Sequence, residues 1–207
     1  MPSRNIDLTT KLIETGKVEF LRCGYRNTTM RAIASKLNIT TGAIYGHFDN
    51  KEIFFCTLVD KTASEFKCHY NKMKRTMLNE LGNGMAVLPA NMIQGELICV
   101  ARYVLENIDT FRLLLMCSQG TKYEAFLDTI IEIDASANKE IIDLLVENES
   151  IKGPIDKGLI LILSSVFVRA MFEITVVCSG SSQKKEQLLS SFVAISLIGW
   201  KRILSRE

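Results

Sequence analysis

The stretch TTMRAIASKLNITTGAIYGHFDNKEIF, residues Thr28–Phe54, decides the fold of the N-terminal part of the chain. Thr29 stands where it can cap a short helix over Met30–Leu37, and Thr40 stands where it can cap a second helix over Thr41–His47. The second helix is too short to be an ordinary core helix. Two short helices joined by a tight turn are typical of a helix-turn-helix.

The residues of this stretch divide into a turn, an apolar set and a polar set. Asn38 occupies the turn, and asparagine tolerates the left-handed backbone conformation that such a turn requires. The apolar set has helical spacing and can pack against an earlier helix over Leu8–Cys23 that Gly24 ends. That set comprises Ile33, Ala34, Leu37, Ile39, Ile44 and Phe48, together with Leu12 and Phe20 of the earlier helix. The residues left exposed on the second short helix are small or polar, which suits a helix end entering a major groove.

The rest of the chain also has helical patterns. A fourth helix starts at Asp49 or Asn50 and runs towards Leu81, and Asp109 caps a short helix further on. Longer helices are predicted over about 91–107, 123–148, 156–178 and 183–204. No alternating segment flanked by hairpin turns stands out, and the 207 residues contain only 3 prolines and 12 glycines. We therefore predict an all-α protein.

Charge is distributed unevenly along the chain. Residues 1–75 hold 13 basic and 7 acidic residues, whereas residues 76–207 hold 12 and 16. A basic N-terminal third joined to a mildly acidic body indicates a module that binds a polyanion. The alternative is a chance variation in solvated charge.

The six cysteines have neither zinc-site nor redox spacing, because no two form a CxxC pair. Residues 1–10 are polar and lack the apolar core of a signal peptide. We therefore expect free thiols in a reducing cytoplasm and no metal. A thiol sensor that uses one of the cysteines remains an alternative.

One segment, residues 158–178, is apolar and long enough to cross a membrane. Arg169 and Glu173 interrupt it, and charges at membrane depth are costly. Their i,i+4 spacing lets them face each other on one helix. We favour a buried helix of a soluble bundle with a buried ion pair over a transmembrane span.

Over Leu8–Phe55 the sequence resembles the TetR family of transcriptional regulators. The residues that carry the resemblance keep a fixed spacing: Phe20, Gly24-Tyr25, Thr28-Thr29, Ile33-Ala34, Gly42, Ile44-Tyr45, His47-Phe48 and Lys51-Glu52. The resemblance implies a three-helix DNA-binding domain over residues 1–52. It implies a helical-bundle domain for ligand binding and dimerisation over residues 53–207.

The resemblance also implies roles for individual residues in DNA binding. Thr29, Thr40 and Lys51 match positions that contact phosphate, and Tyr45 and His47 match positions that usually touch the DNA backbone. Residues placed to meet base edges are Thr41, Gly42 and Ala43. The predicted recognition helix has no Arg, Gln or Asn for bidentate base reading, so thymine methyl contacts and DNA shape are expected to contribute to specificity. Alternatively, Tyr45 packs inside the domain, His47 is a turn residue without a contact, and Lys51 is a solvated helix-start residue.

Two further sets of residues are expected in the C-terminal domain. Candidates for an apolar ligand pocket are Phe66, Tyr70, Tyr103, Phe111, Met116, Tyr123, Phe126, Arg169 and Glu173. The alternative for the apolar members is an ordinary place in the core, and for the charged pair a structural network. Candidates for the dimer interface lie on the last helix, whose apolar face has small gaps: Leu188, Leu189, Phe192, Ile195, Ser196, Gly199 and Trp200.

Together these expectations describe a cytoplasmic homodimeric repressor that binds a palindromic operator in double-stranded DNA. An apolar small-molecule effector would release it, and no cofactor or membrane is expected. An enzyme is disfavoured because the sequence holds no Ser-His-Asp set, metal cluster or phosphate-binding Gly-rich loop. A DNA-binding regulator that is controlled by a protein partner, or that has no ligand, remains the alternative.

Overall fold

The computed structural model of the chain describes residues 3–85, 88–151 and 153–204, and these residues form helices and no strand. The α-helices are α1 (Ser3–Asn27), α2 (Met30–Lys36), α3 (Thr41–Tyr45), α4 (Lys51–Gly82), α5 (Ala90–Glu106), α6 (Ile108–Arg112), α7 (Phe126–Glu147), α8 (Lys157–Phe172) and α9 (Ser182–Leu204). Two π-helical segments, Leu113–Cys117 and Glu173–Val177, continue α6 and α8. The predicted all-α class is confirmed.

The helix starts follow side-chain caps that were visible in the sequence. The Thr29 hydroxyl accepts a hydrogen bond from the Ala32 N–H at 3.1 Å, and the Thr40 hydroxyl accepts one from the Ala43 N–H at 3.2 Å. Asn50 caps α4 through the N–H of Ile53 at 2.8 Å. Each cap satisfies a backbone donor that the first helical turn leaves unpaired.

Two local expectations differ from the structure. Gly24 adopts φ +74° as expected, but it forms a kink within α1, which continues to Asn27. Asp109 does not cap α6, because that helix begins one residue earlier, at Ile108. Its carboxylate instead lies 3.0 Å from the Lys17 ammonium on α1.

The chain divides into two compact units. The first comprises residues 1–64 and 109–126, and the second comprises residues 65–108 and 127–207. The sequence-based boundary lies at residue 52, whereas the first unit also takes in the beginning of α4 and the segment 109–126.

Aromatic packing forms the core of the first unit. Phe20, Phe54 and Phe55 are fully buried. The Phe20 ring meets the Phe54 and Phe55 rings edge-on at centroid distances of 5.8 and 5.2 Å, and Phe48 stacks on Phe54 at 4.2 Å. The close crossing of α1 and α4 depends on Gly16, because a Cβ there would lie 2.3 Å from the Phe54 ring.

The core of the second unit includes a cluster of buried aliphatic side chains. Its members come from α4, α7, α8 and the loop between the last two: Leu81, Ile142, Leu145, Ile151 and Ile160. Trp200 of α9 packs against this cluster with one side and is partly exposed. The second unit is therefore a helical bundle.

The apolar segment Lys157–Val177 is long and apolar enough to cross a membrane by length and composition, with 39% of its most apolar window buried inside the chain. The core helix of a soluble protein passes the same test, so this finding is weak evidence for a span. The expected buried pair of Arg169 and Glu173 is wrong, because both residues are exposed in the chain. The Arg169 guanidinium lies 3.2 Å from the Asp128 carboxylate instead.

Candidate nucleic-acid interface and ligand cavity

The two short helices α2 and α3 form a helix-turn-helix in the first unit. The turn between them passes through Asn38 at φ +52°, the left-handed conformation that its residue type suggested. Ile33 and Ala34 of α2 and Ile44 of α3 are buried, so the inner faces of both helices pack into the core. The outer face of α3 is thereby fixed at the surface.

The predicted base-reading residues lie on α3 with different exposures. Gly42 is exposed, and Thr41 and Ala43 are half-buried. Tyr45 is 50% exposed, which contradicts the alternative that it packs inside the domain. The capping residues Thr29 and Thr40 are exposed, and their hydroxyl protons remain available to a phosphate.

His47 follows α3 and is held to α1. Its Nδ1 lies 2.8 Å from the Thr9 hydroxyl oxygen, and its ring is half-buried. The side chain therefore has a defined position beside the end of the helix-turn-helix.

Lys51 begins α4 and binds the loop that joins α1 to α2. Its ammonium donates to the carbonyl oxygens of Tyr25 at 2.8 Å and Thr28 at 2.9 Å, and it lies 4.3 Å from the centre of the Tyr25 ring. Partial burial lowers the pKa of Lys51. The ammonium thus stabilises the entry to the helix-turn-helix, and any phosphate contact by Lys51 would be made by a group that is already partly engaged.

A buried carboxylate that sequence reasoning missed joins α1 to α2. Glu19 is 1% exposed. It accepts hydrogen bonds from the Arg22 guanidinium at 2.9 Å and from the Lys36 ammonium. These two hydrogen bonds lower the pKa of Glu19 to about 2. The ionised Glu19 carboxylate therefore fixes α2 relative to α1 through Lys36. The sequence alone did not indicate that Glu19 and Lys36 would meet.

The second unit contains a cavity of about 520 Å³. Its apolar wall includes side chains of α4, α5, α7, α8 and α9, among them Met77, Leu97, Ile141, Leu145, Phe167 and Trp200. The volume falls within the range of small-molecule sites, which are mostly apolar with a few convergent polar groups.

Three polar side chains, Lys74, Asp134 and Asn138, line one part of this cavity. The Lys74 ammonium lies 2.6 Å from the Asp134 carboxylate and donates to the Asn138 side-chain oxygen at 2.9 Å. The Tyr70 hydroxyl also donates to Asp134, at 2.7 Å. Burial raises the pKa of the Tyr70 phenol, and the neighbouring Asp134 raises it further. Tyr70 therefore stays protonated and serves as the donor.

The residues expected to line a ligand pocket do not line this cavity. Phe66 and Tyr70 are buried in the second unit, and Tyr103 donates to Glu65 at 2.8 Å. The other four apolar candidates belong to the first unit. There Phe111 and Phe126 are buried, Met116 is exposed, and the Tyr123 hydroxyl donates to Asp60. Arg169 and Glu173 are exposed. Phe66, Tyr70, Phe111 and Phe126 instead lie in the cores. Periodicity alone could not separate such core residues from residues of a cavity wall.

The residues expected at a dimer interface have different surroundings in the structure: some are exposed, some pack inside the chain and some line the cavity. Leu188, Ile195 and Gly199 are exposed on α9. Leu189 is buried in the core of its own chain, and the Phe192 ring stacks on Phe167 at 5.5 Å. Two of the predicted residues, Ser196 and Trp200, line the cavity. Ile198, which the prediction left out, is 70% exposed.

The spacing of the polar residues at the cavity is visible in the sequence. Tyr70 and Lys74 are spaced i,i+4 on α4, and Asp134 and Asn138 are spaced i,i+4 on α7. Each pair interrupts a face that is otherwise apolar, and such a pair must find partners when it is buried. Which helices pair could not be deduced, because the partners lie 64 residues apart. Among the described residues, no group of three or more His, Cys, Asp or Glu could hold a metal ion.

Comparison with protein families places a match on the helix-turn-helix. Residues 12–55 match the family model described as "Bacterial regulatory proteins, tetR family". These residues extend from α1 through α2 and α3 into α4.

A curated relative is the "Probable acrEF/envCD operon repressor" of Escherichia coli K12. It is 30% identical over 94 residues, which cover 45% of this chain and 39% of that protein. The chain therefore matches about two fifths of the length of this relative.

Solved structures share the fold over nearly the whole chain. One is the TetR-family transcriptional regulator PfmR from Thermus thermophilus, with a TM-score of 0.57, 18% identity and coverage of 90% of this chain and 96% of that one. Another is the ketosteroid transcriptional regulator KstR2 of Mycobacterium tuberculosis, with a TM-score of 0.56, 18% identity and coverage of 96% and 95%. At these identities the likeness concerns the fold.

Proposed function

We propose, on the premise that residues 12–55 match the family model of the tetR family of bacterial regulatory proteins, that the chain is a transcriptional regulator that binds double-stranded DNA. The observation that carries the proposal is the helix-turn-helix, in which the inner faces of α2 and α3 are buried and the outer face of α3 is free. The matched proteins described above are regulators and not enzymes.

The DNA contacts follow from the exposure of each residue. Thr41, Gly42 and Ala43 meet base edges in the major groove, where their small side chains allow a close approach. The proposed contacts to the DNA backbone are Thr29, Thr40, Tyr45, His47 and Lys51, the last with its ammonium shared between phosphate and the carbonyls of the α1–α2 loop. Backbone contacts set the register, and the base contacts and DNA shape select the sequence.

The regulator acts as a homodimeric repressor on a palindromic operator in the cytoplasm. Support comes from α8 and α9, whose apolar side chains are exposed in the single chain, including Ile162 and Ile195. Two helices from each of two chains form a four-helix bundle by ordinary packing. A two-fold axis through it suits half-sites about one helical turn, ~34–36 Å, apart.

A small molecule in the cavity of the second unit releases the DNA. The cavity of about 520 Å³ favours this reading over a regulator that has no ligand. The continuous helix α4 carries Lys51 at its start and the cavity residues Lys74 and Met77 further on. A ligand that binds one position of α4 better than another would shift the population between DNA-binding and released states.

Selection from a library of random 30-bp DNA duplexes tests the proposal. We expect enrichment of an inverted repeat, with an affinity that falls steeply as salt is raised because phosphate contacts release counterions. A Thr41→Val variant tests the role of Thr41 in reading bases, because it keeps the shape of the side chain and removes the hydroxyl. The preferred bases should change, while the salt dependence of the affinity stays the same. Enrichment of a sequence without two-fold symmetry would contradict the homodimer, and no enrichment would contradict the regulator.

A further inference from the structure

The polar end of the cavity is a closed, charge-neutral network. Asp134 is 1% exposed and accepts hydrogen bonds from Tyr70, Lys74 and Asn138. Lys74 is also buried and is the other charged residue among the described residues that line the cavity. The pair therefore presents no net charge to whatever occupies the cavity.

This network leaves little hydrogen-bonding capacity for a ligand. The two N–H donors of Asn138 are used by Asp134 at 2.8 Å and by Ser164 at 3.0 Å, and its oxygen accepts from Lys74. Among the described residues, Asp134 and Asn138 take two of the three donors of the Lys74 ammonium, which also lies 5.8 Å from the centre of the Tyr70 ring. The third donor remains for an oxygen in the cavity. One lone-pair position on the Asp134 carboxylate also remains, because the described donors number three.

From this arrangement we infer that the cavity binds an uncharged apolar molecule that carries one carbonyl or hydroxyl oxygen, which accepts a hydrogen bond from Lys74. The inference rests on the proposed ligand response and names the class of ligand. A carboxylate ligand would gain from Lys74 but would face the Asp134 carboxylate, and an ammonium ligand would meet the reverse. In both cases the neutral pair cannot repay the cost of removing the charged head from water.

Three probes with the same number of carbon atoms test the class of ligand: 2-decanone, decanoate and decylammonium. Trp200 lines the cavity and is the single tryptophan of the chain, so its fluorescence reports binding. Thermal shift provides a second readout, since a ligand that binds the folded state raises its stability. We expect 2-decanone to bind about tenfold more tightly than either charged probe.

Two charge variants give the sharpest outcome. Asp134→Asn leaves Lys74 unpaired, so the preference should shift by about tenfold towards decanoate. Lys74→Met leaves Asp134 unpaired and should shift the preference towards decylammonium. Lys72→Met is the matched control, because Lys72 is exposed on the same helix and does not line the cavity, and the order of the probes should not change.

A double variant keeps the test valid if a single variant fails to fold. Lys74→Met with Asp134→Leu replaces the buried pair by apolar side chains, which is often neutral for stability. It should bind 2-decanone more weakly than the unmodified protein does, because the ketone oxygen loses its donor, and it should still disfavour both charged probes. Tightest binding of decanoate or decylammonium by the unmodified protein would overturn the ligand class alone. Failure of all three probes to change either readout would overturn the ligand response as well, and the DNA selection tests the regulator independently.

Discussion

Glu19 is ionised although its side chain is removed from water. The Arg22 and Lys36 hydrogen bonds outweigh the cost of burial and hold the pKa of Glu19 at about 2. A carboxyl whose pKa is lower in the folded state stabilises that state above its unfolded pKa, and the stabilisation is lost as the pH falls towards the folded value. The window for this residue therefore extends from about pH 4.5 down to about pH 2.

Glu19→Gln should lower the free energy of unfolding at pH 7 by about 2 kcal/mol. This loss of stability is smaller than the free energy that corresponds to the full pKa shift, because Arg22 and Lys36 are partly exposed and solvent screens their charges. Urea unfolding at several pH values should show the difference from the unmodified protein narrowing as the pH falls from about 4.5 towards about 2. Glu14→Gln, an exposed carboxyl on the same helix, is the control and should change stability little. A difference that is constant with pH would contradict the assignment.

Lys51→Met tests the contact between the start of α4 and the loop that joins α1 to α2. It removes the donor to the carbonyls of Tyr25 and Thr28, so we expect a loss of about 1–2 kcal/mol in the free energy of unfolding. If the ammonium also contacts phosphate, the slope of log affinity for DNA against log salt should fall by about 1. Lys72→Met makes the same charge change at an exposed site and should affect neither measurement. Unchanged stability would show that the carbonyl contacts contribute nothing.

Sequence reasoning succeeded for residues whose partners are local. The caps Thr29 and Thr40 each bond a backbone N–H three residues ahead, so the residue type and its place before an apolar period were sufficient. It failed for Asp134, whose partner Tyr70 lies 64 residues away. Such pairing depends on which helices pack together, and one sequence does not contain that information.

At the scale of the element, most helix bounds were predicted within about three residues from the apolar period. The exception is α1, which begins at Ser3 and continues to Asn27, because Gly24 does not end it. The π-helical segments Leu113–Cys117 and Glu173–Val177 were not predicted. Their residues are mostly apolar, like those of an ordinary helix, and their surroundings include contacts from other helices. In the second segment, for example, Lys185 of α9 donates to the Thr175 carbonyl at 2.8 Å.

Gly16 sets how closely α1 and α4 can approach. An added Cβ would lie 2.3 Å from the Cζ of Phe54, a ring that is fully buried and cannot move aside freely. Gly16→Ala should therefore destabilise the protein by about 1–3 kcal/mol, although alanine favours helix. Gly95→Ala on α5 is the matched control, because nothing lies within 4 Å of its added Cβ. It should stabilise by about 0.5–1 kcal/mol. Equal effects in urea unfolding would show that the crossing adapts.

At the scale of the whole molecule, most of the large exposed apolar side chains described in the second unit lie on its last two long helices. Leu159, Ile162 and Val166 follow helical spacing on α8, and Leu188, Ile195 and Ile198 do so on α9. An exposed apolar row on a helix is typical of a face that packs against a partner. The sequence identified α9 as apolar on a wide face, but it could not separate Leu189 and Phe192, which pack inside the chain, from Ile195, which does not, and it left out Ile198.

This separation gives a test of the dimer that leaves the core intact. Ile195→Lys with Ile198→Lys places two charges on side chains that are each 70% exposed in the single chain. The monomer should fold with nearly unchanged stability, because exposed substitutions away from special contacts usually change it by about 0.5 kcal/mol or less. Burying the same lysines between two chains would be costly, so sedimentation should show a monomer. That monomer should lose affinity for the selected inverted repeat, since one helix-turn-helix reaches only one half-site.

Met116→Lys, at an exposed apolar residue of the first unit, is the control and should sediment as the unmodified protein does. If the double variant sediments as a dimer and keeps its affinity, the interface lies on another surface; if it unfolds, the two isoleucines are part of the chain's own core.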